Sequence, residues 1–208
     1  MTTDTVSPED ALARLREGNA RFCAGTRSVA ALASQTDLAA HAAGQRPFAI
    51  VLTCSDSRVP VEMIFDQGIG DLFVIRVAGN VVAPSLVGSV EFAAATFGTR
   101  LVVVMGHTAC GAVKATIDVL RGDAEAPSEN IRDIVDRIRP AVASAVEAGG
   151  DDVVAKAVRA NVRSSADHLR HGSRVLEDLV RSGQLVVVGA EYDLHRGAVD
   201  FFDRPAGL

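Results

Sequence analysis

Residues 47–58 read PFAIVLTCSDSR, a continuous apolar run that ends abruptly in a thiol, hydroxyls, a carboxylate and a guanidinium. A run this short and this rich in Val, Ile and Leu predicts a strand, Phe48 to Leu52, covered on both faces as parallel strands are. Three further runs have the same character: Leu72 to Val77, Leu101 to Met105 and Leu185 to Val188. Helical patterns at Pro60 to Asp66, Leu86 to Phe97 and Ala112 to Leu120 lie between the first of them, and Ile131 to Val146, Val153 to Leu169 and Ser173 to Val180 precede the last. Strand followed by helix, repeated, gives an α/β class with a predominantly parallel central β-sheet flanked by helices. The tail YDLHRGAVDFF turns at Arg196-Gly197 and is expected to add a short C-terminal edge strand.

Outward from this sheet, the chain begins with another pattern. Ser7 and Pro8 mark a helix start, and Leu12, Leu15 and Phe22 give that helix an apolar stripe. An Ala-rich stretch from Val29 to Ala43 adds helix propensity with a weak pattern. We expect a single domain over 1–208, with 1–44 as an N-terminal helical arm whose surplus apolar surface embraces a second subunit.

The chain of 208 residues is 48% apolar and 23% charged, which excludes a disordered class. A formal charge of -5 without a basic block argues against a nucleic-acid groove or an anionic membrane surface. No apolar run approaches the roughly 18 residues of a membrane span, and the start has neither the basic nor the apolar segment of a secretion signal. Three cysteines do not form a disulfide framework, so the cytoplasm is the expected location.

The chemistry sits where the strands end. A second run, VVVMGHTACG, closes on His107 and Cys110 as the first closes on Cys54 and Asp56. Ligands in open parallel sheets bind beyond the carboxyl ends of strands. Residues two apart on an extended segment face one way, so Cys54 and Asp56 point together. His107 and Cys110, three apart where strand becomes helix, are expected on one side of the first turn. Two thiolates, an imidazole and a carboxylate make a tetrahedral set suited to zinc. Read singly, the cysteines are small buried hydrophobes and Asp56 is a turn cap; that reading leaves their convergence unexplained. A closed structural zinc site with four protein ligands is the stronger alternative, and Arg58 weakens it. Its fork of donors reaches Asp56, so the pair is expected to act as a gate: Asp56 on the metal closes the site, while Asp56 held by Arg58 admits and orients a water. With two thiolates neutralising zinc, that water is acidified less than at three histidines, which favours mildly alkaline pH. A small electrophile attacked at carbon fits; carbon dioxide, an ester and an amide all remain open on these residues alone.

CSDSRVP, FVIRVAGN and GHTACGAV, in this order, resemble the β-class carbonic anhydrases, and the similarity runs from about Gln45 through GAEYDLHRGAV. The resemblance implies reversible hydration of carbon dioxide to bicarbonate and a proton, by attack of zinc-bound hydroxide. It implies Cys54, His107 and Cys110 as permanent zinc ligands, Asp56 as an exchangeable fourth ligand or catalytic partner, and Arg58 as its dyad arginine. It also implies a homodimer or homotetramer with the cleft near the subunit interface and N-terminal helices over a neighbour. Gln45 matches an amide donor to bicarbonate, and Phe73, Ala78 and Phe92 match the apolar wall of the carbon dioxide pocket, Phe92 standing where some members have tyrosine. A tryptophan that some members place in a regulatory bicarbonate pocket corresponds to Val51 here, so strong regulation of that kind is not expected, although Arg76 and Tyr192 match other parts of that pocket.

Among the remaining residues, Gly111 is a candidate backbone donor near the metal, and Gly79 is either a strained turn or a close approach to the cleft. His168 and His171 have ligand-like spacing without a thiol or carboxylate partner. Cys23 reads as packing, and His41 and His195 as candidate proton carriers. GIGDLF lacks the spacing of a nucleotide loop, so no nucleotide cofactor is expected. Two alternatives stand beside the hydration of carbon dioxide: another linear electrophile such as carbon disulfide or carbonyl sulfide, and a closed zinc scaffold without activity.

Overall fold

The computed structural model describes residues 5–34 and 36–205. The first four residues of the arm expected over 1–44, and Gln35 within it, lie outside the described residues. The chain opens with α1 (Pro8–Cys23), α2 (Val29–Ser34) and α3 (Leu38–Ala43). The Ser7 side chain accepts the Asp10 amide at 3.1 Å and Pro8 occupies the first turn, as the sequence predicts. Then follow β1 (Ala49–Thr53), α4 (Val61–Ile64), β2 (Leu72–Arg76), a 3-10 turn at Ala78–Asn80, α5 (Pro84–Phe97), β3 (Leu101–His107) and α6 (Gly111–Arg121). Three helices, α7 (Glu129–Ala148), α8 (Val153–His171) and α9 (Arg174–Arg181), lead to β4 (Val186–Tyr192) and the tail strand β5 (Val199–Asp203).

The strands form one five-stranded sheet in the order β2-β1-β3-β4-β5. The first three pairings are parallel, and β5 adds antiparallel to β4. Every residue of β1 and β3 is buried, which accounts for their unbroken apolar runs. Ala49, Val51, Val103 and Met105 pack with α1 and α4 on one face. Ile50, Leu52, Val102 and Val104 pack with α5, α8 and α9 on the other. A third cluster joins α6, α7 and α8 around Cys54 and Cys110 at the carboxyl end of the sheet.

Several boundaries differ from expectation by a residue or more, three of them for a visible local reason. β3 and β4 run on to His107 and Tyr192, because Gly106 pairs with Glu191 and His107 with Tyr192. Gly106 continues the strand since α8 leaves no room there for a side chain: a Cβ would meet Val162 Cγ2 at 2.6 Å. α4 stops at Ile64 short of the expected Asp66, whose φ of 46° is left-handed. In the arm, α1 buries Leu12 and Leu15 in this chain's own sheet rather than holding them for a neighbour. Each such leucine contributes about 1.5–3 kcal/mol by burial. The apolar surface left exposed lies on α2 and α3, at Val29 (81%) and Leu38 (74%). Among the described residues, no helix is long and apolar enough to cross a membrane.

Candidate metal centre and active site

Cys54 follows the last residue of β1, and His107 is the last residue of the adjacent β3. The chain then reverses at Ala109, whose φ is 56°, and Cys110 caps α6. His107 and Cys110 therefore do not share a helical turn as expected from their spacing; the left-handed residue between them folds one back toward the other. The ligand atoms of Cys54, His107 and Cys110 all lie within 4.8 Å of one another, and all three residues are buried. The two sulfurs are 4.0 Å apart.

Asp56 stands beside this cluster and is turned toward Arg58. Its Oδ1 accepts the Arg58 amide and Nε, both at 2.9 Å, and its Oδ2 accepts Nη2 at 2.7 Å. Oδ2 also lies 3.8 Å from His107 Nε2. The segment between Cys54 and Asp56 is held from β2, where Arg76 donates to the Asp56 carbonyl at 2.7 Å and to the Cys54 carbonyl at 3.3 Å. Gly79, in the 3-10 turn, donates its N–H to Cys54 Sγ at 3.4 Å.

The electrostatics favour charge unevenly. A hydrogen bond from Cys110 holds the Cys54 thiol well below its ordinary range, against the cost of burial. Cys110 is pushed up by that same pairing and by burial. Arg58 holds the Asp56 carboxyl below the usual carboxylate range through its side chain. Burial disfavours charge on His107, yet the Cys54 thiolate and Asp56 outweigh it and raise its pKa.

These donors fit zinc. Two sulfurs bound at about 2.3 Å in a tetrahedral shell lie about 3.8 Å apart, close to the separation present. His107 Nδ1 is 2.9 Å from the Thr108 carbonyl. With the proton donated there, Nε2 keeps its lone pair, and Nε2 is a buried atom without a hydrogen-bond partner. A second thiolate facing the first needs a cation, which the soft N/S set selects from among the softer metals.

The other expected residues divide into two groups. Ala78 adjoins Gly79 in the turn beside Cys54, and Gly111 begins α6 next to Cys110. Packing does not explain Gly111, since a Cβ there would meet nothing within 4 Å in this chain. Gly79 shows both readings at once: its φ is +68° and its amide reaches the cluster. Gln45, by contrast, precedes β1 and Cys54 follows it, so the strand's five residues, at about 3.3 Å each, put roughly 16 Å between them. Phe73 pairs with Ile50 near the starting end of β1, and its ring lies tilted against Phe92 and Phe97 at 6.3 and 6.0 Å. Gln45, Phe73 and Phe92 are thus not brought to the cluster within this chain. His41 lies near Gln45 in a pocket that both line, His195 sits in the turn before β5, and His168 and His171 end α8. Cys23 is exposed.

Sequence reasoning missed Asn161 and Ser165 of α8. Asn161 Nδ2 donates to the Gly79 carbonyl at 2.8 Å and Ser165 Oγ to the Asn80 carbonyl at 3.0 Å, and both are buried. The signal was present: Asn161 falls on the helix face that carries Ala157, Val158 and Val162, where an amide needs a partner.

A predominantly parallel α/β sheet with a Cys-His-Cys cluster able to hold a metal across two strand ends, and a carboxylate-guanidinium pair beside it, is the arrangement of a metal-dependent enzyme. The carbonic anhydrase family matches residues 49–199. Carbonic anhydrase of Mycolicibacterium smegmatis is 38% identical over 199 residues, covering 93% of each chain. A solved β-carbonic anhydrase of Aspergillus fumigatus shares 27% identity with a TM-score of 0.70, over 94% of this chain and 90% of that one. Another, from Sordaria macrospora, superimposes with a TM-score of 0.72 at 22% identity, over 82% and 87%. This chain belongs to the β-class carbonic anhydrase family and is an enzyme of that family.

Proposed function

We propose that the chain hydrates carbon dioxide reversibly to bicarbonate and a proton, with zinc held by Cys54, His107 and Cys110 and with Asp56 and Arg58 acting beside it. The observation that carries this reading is the capture of Asp56 by Arg58 next to a buried three-donor cluster. Zinc, when bound, supplies the Lewis acidity that makes a water molecule a nucleophile near neutral pH. The protein's part is positional. Arg58 keeps Asp56 ionised and turned away from the three donors, with a carboxylate oxygen that could accept a proton beside a bound metal. Thr108 fixes the His107 tautomer, and Arg76 holds the backbone from which Cys54 and Asp56 project. Gly111 is the backbone donor on the substrate side, and Ala78 lines the approach.

Gln45, Phe73 and Phe92 serve the substrate from a second copy of the chain. Phe92 is 53% exposed although it belongs to an aromatic cluster, and the uncovered apolar face of α2 and α3 offers a further contact. The assembly is a homodimer or homotetramer, without nucleic acid or membrane as partner. A reducing cytoplasm suits the paired thiols.

Stopped-flow carbon dioxide hydration on zinc-loaded and metal-stripped protein at about pH 7 and pH 8.5 tests the proposal. Rapid turnover that requires zinc and rises with pH is expected. No turnover at either pH from a zinc-loaded, folded assembly would replace this reading with a closed scaffold or another electrophile.

A further inference from the structure

We infer that Asn161 is a positioning residue for the metal centre: from α8 it fixes the Ala78–Asn80 turn so that the Gly79 N–H stays on the sulfur of Cys54. The inference rests on the zinc reading above and adds a residue from a helix that contributes no ligand.

The turn is held by side chains on its outer side. Asn161 donates to the Gly79 carbonyl at 2.8 Å and Ser165 to the Asn80 carbonyl at 3.0 Å. Both α8 side chains are at least nine-tenths buried, at 2% and 6% exposure, so neither carbonyl has water as a ready substitute. On its inner side the turn presents one amide to the cluster, the Gly79 N–H at 3.4 Å from Cys54 Sγ. Carbonyl and amide flank the same Cα, and its left-handed φ of 68° with ψ of 20° sets their relative directions. A pull on the carbonyl therefore turns the amide.

The consequence for sulfur is electronic as well as geometric. An N–H donated to a thiolate withdraws charge from its lone pairs and limits the directions in which they can bind a metal. Partners of this kind, one layer outside the ligands, typically change metal affinity by about 10–100-fold. Cys54 lacks a helix of its own: it follows a strand, whereas Cys110 stands at the start of α6. The Gly79 amide supplies a backbone donor at Cys54.

The test uses Asn161→Leu, similar in size but without the donor, and Leu169→Ala, a buried change on the same helix away from the turn. Each is loaded with cobalt in place of zinc, and the thiolate-to-cobalt charge-transfer band is recorded on the full-length protein. Zinc-loaded samples are then challenged with a chelator. Asn161→Leu is expected to move the band to longer wavelength and to release zinc about tenfold faster. Leu169→Ala is expected to lower the unfolding midpoint with neither change. If Asn161→Leu does not fold, the smaller Asn161→Ala decides by the same two readouts. A folded Asn161→Leu, or in its place Asn161→Ala, with wild-type band and release overturns the inference, as does an equal shift in Leu169→Ala. Wild-type protein that takes up neither cobalt nor zinc would instead overturn the metal reading, and the inference with it.

Discussion

Replacing Gly79 by alanine tests how tightly the turn is built. At φ +68° a side chain costs about 1–2 kcal/mol in backbone strain. The new Cβ would lie 2.7 Å from Ile138 Cδ1 and 3.0 Å from the Ala112 Cβ. Ile138 is fully buried and Ala112 has no rotamer to change, so the overlap adds about 1–3 kcal/mol. Alanine stiffens the unfolded chain and returns about 0.4–1 kcal/mol, leaving a net loss of about 1–4.5 kcal/mol. Urea unfolding of the metal-free protein reads this directly, as a midpoint lowered by about 0.5–2 M at a slope near 2 kcal/mol/M. Ile138→Val removes the atom that would be struck, at a cost of its own of about 0.5–1.5 kcal/mol. Combined with Gly79→Ala it should recover about 1 kcal/mol as coupling in a double-mutant cycle. A midpoint shift below about 0.5 M in Gly79→Ala, or a cycle without coupling, would refute the reasoning.

Arg58, donating to Asp56, lowers that carboxyl, so its contribution to stability is present above the ordinary carboxylate pKa and fades as pH falls through the lowered value. The stability gap between wild type and Asp56→Asn, both without metal, should accordingly narrow between about pH 4 and pH 2; a gap independent of pH contradicts it. Arg76→Ala frees the carbonyls of Cys54 and Asp56 and should lower kcat for carbon dioxide hydration by roughly tenfold, with KM and the urea midpoint nearly unchanged; an unaltered kcat would count against that role. Stripping a bound metal should leave Cys54, whose thiol is lowered, open to labelling, while exposed Cys23 reacts with or without zinc. Thiol labelling that is the same in loaded and stripped protein would mean the cluster holds no metal.

The sheet was readable because its strands are covered on both faces. β1 and β3 are buried throughout, so their sequences carry almost no polar interruption. The same signal failed at the ends of β3 and β4, where Glu191 is buried against Arg159 and Gly106 lies under Val162. A polar residue satisfied by a distant partner looks like a strand end when only neighbours along the chain are visible. The ligand residues were legible because thiols, imidazole and carboxylate converged on strand termini. The layer behind them was not: Asn161 reaches Gly79 across more than eighty positions of sequence, and only the packing of α8 over the 3-10 turn makes them neighbours. Likewise, the stripe of α1 announced burial without naming its partner, which is this chain's own sheet.

Cys54 closes β1, while His107 and Cys110 close the far end of β3, and these two strands lie side by side only after the β2 crossover has been completed. A metal held by Cys54 together with His107 and Cys110 would link two strands that are neighbours in space but distant in sequence. Such a metal would staple the two strands and favour the native state by mass action, by about 4 kcal/mol when free zinc is a thousandfold above its dissociation constant. Zinc shortage would then reach beyond lost turnover: the newly made chain would mature into a less durable protein, and its lifetime in the cell would track metal supply.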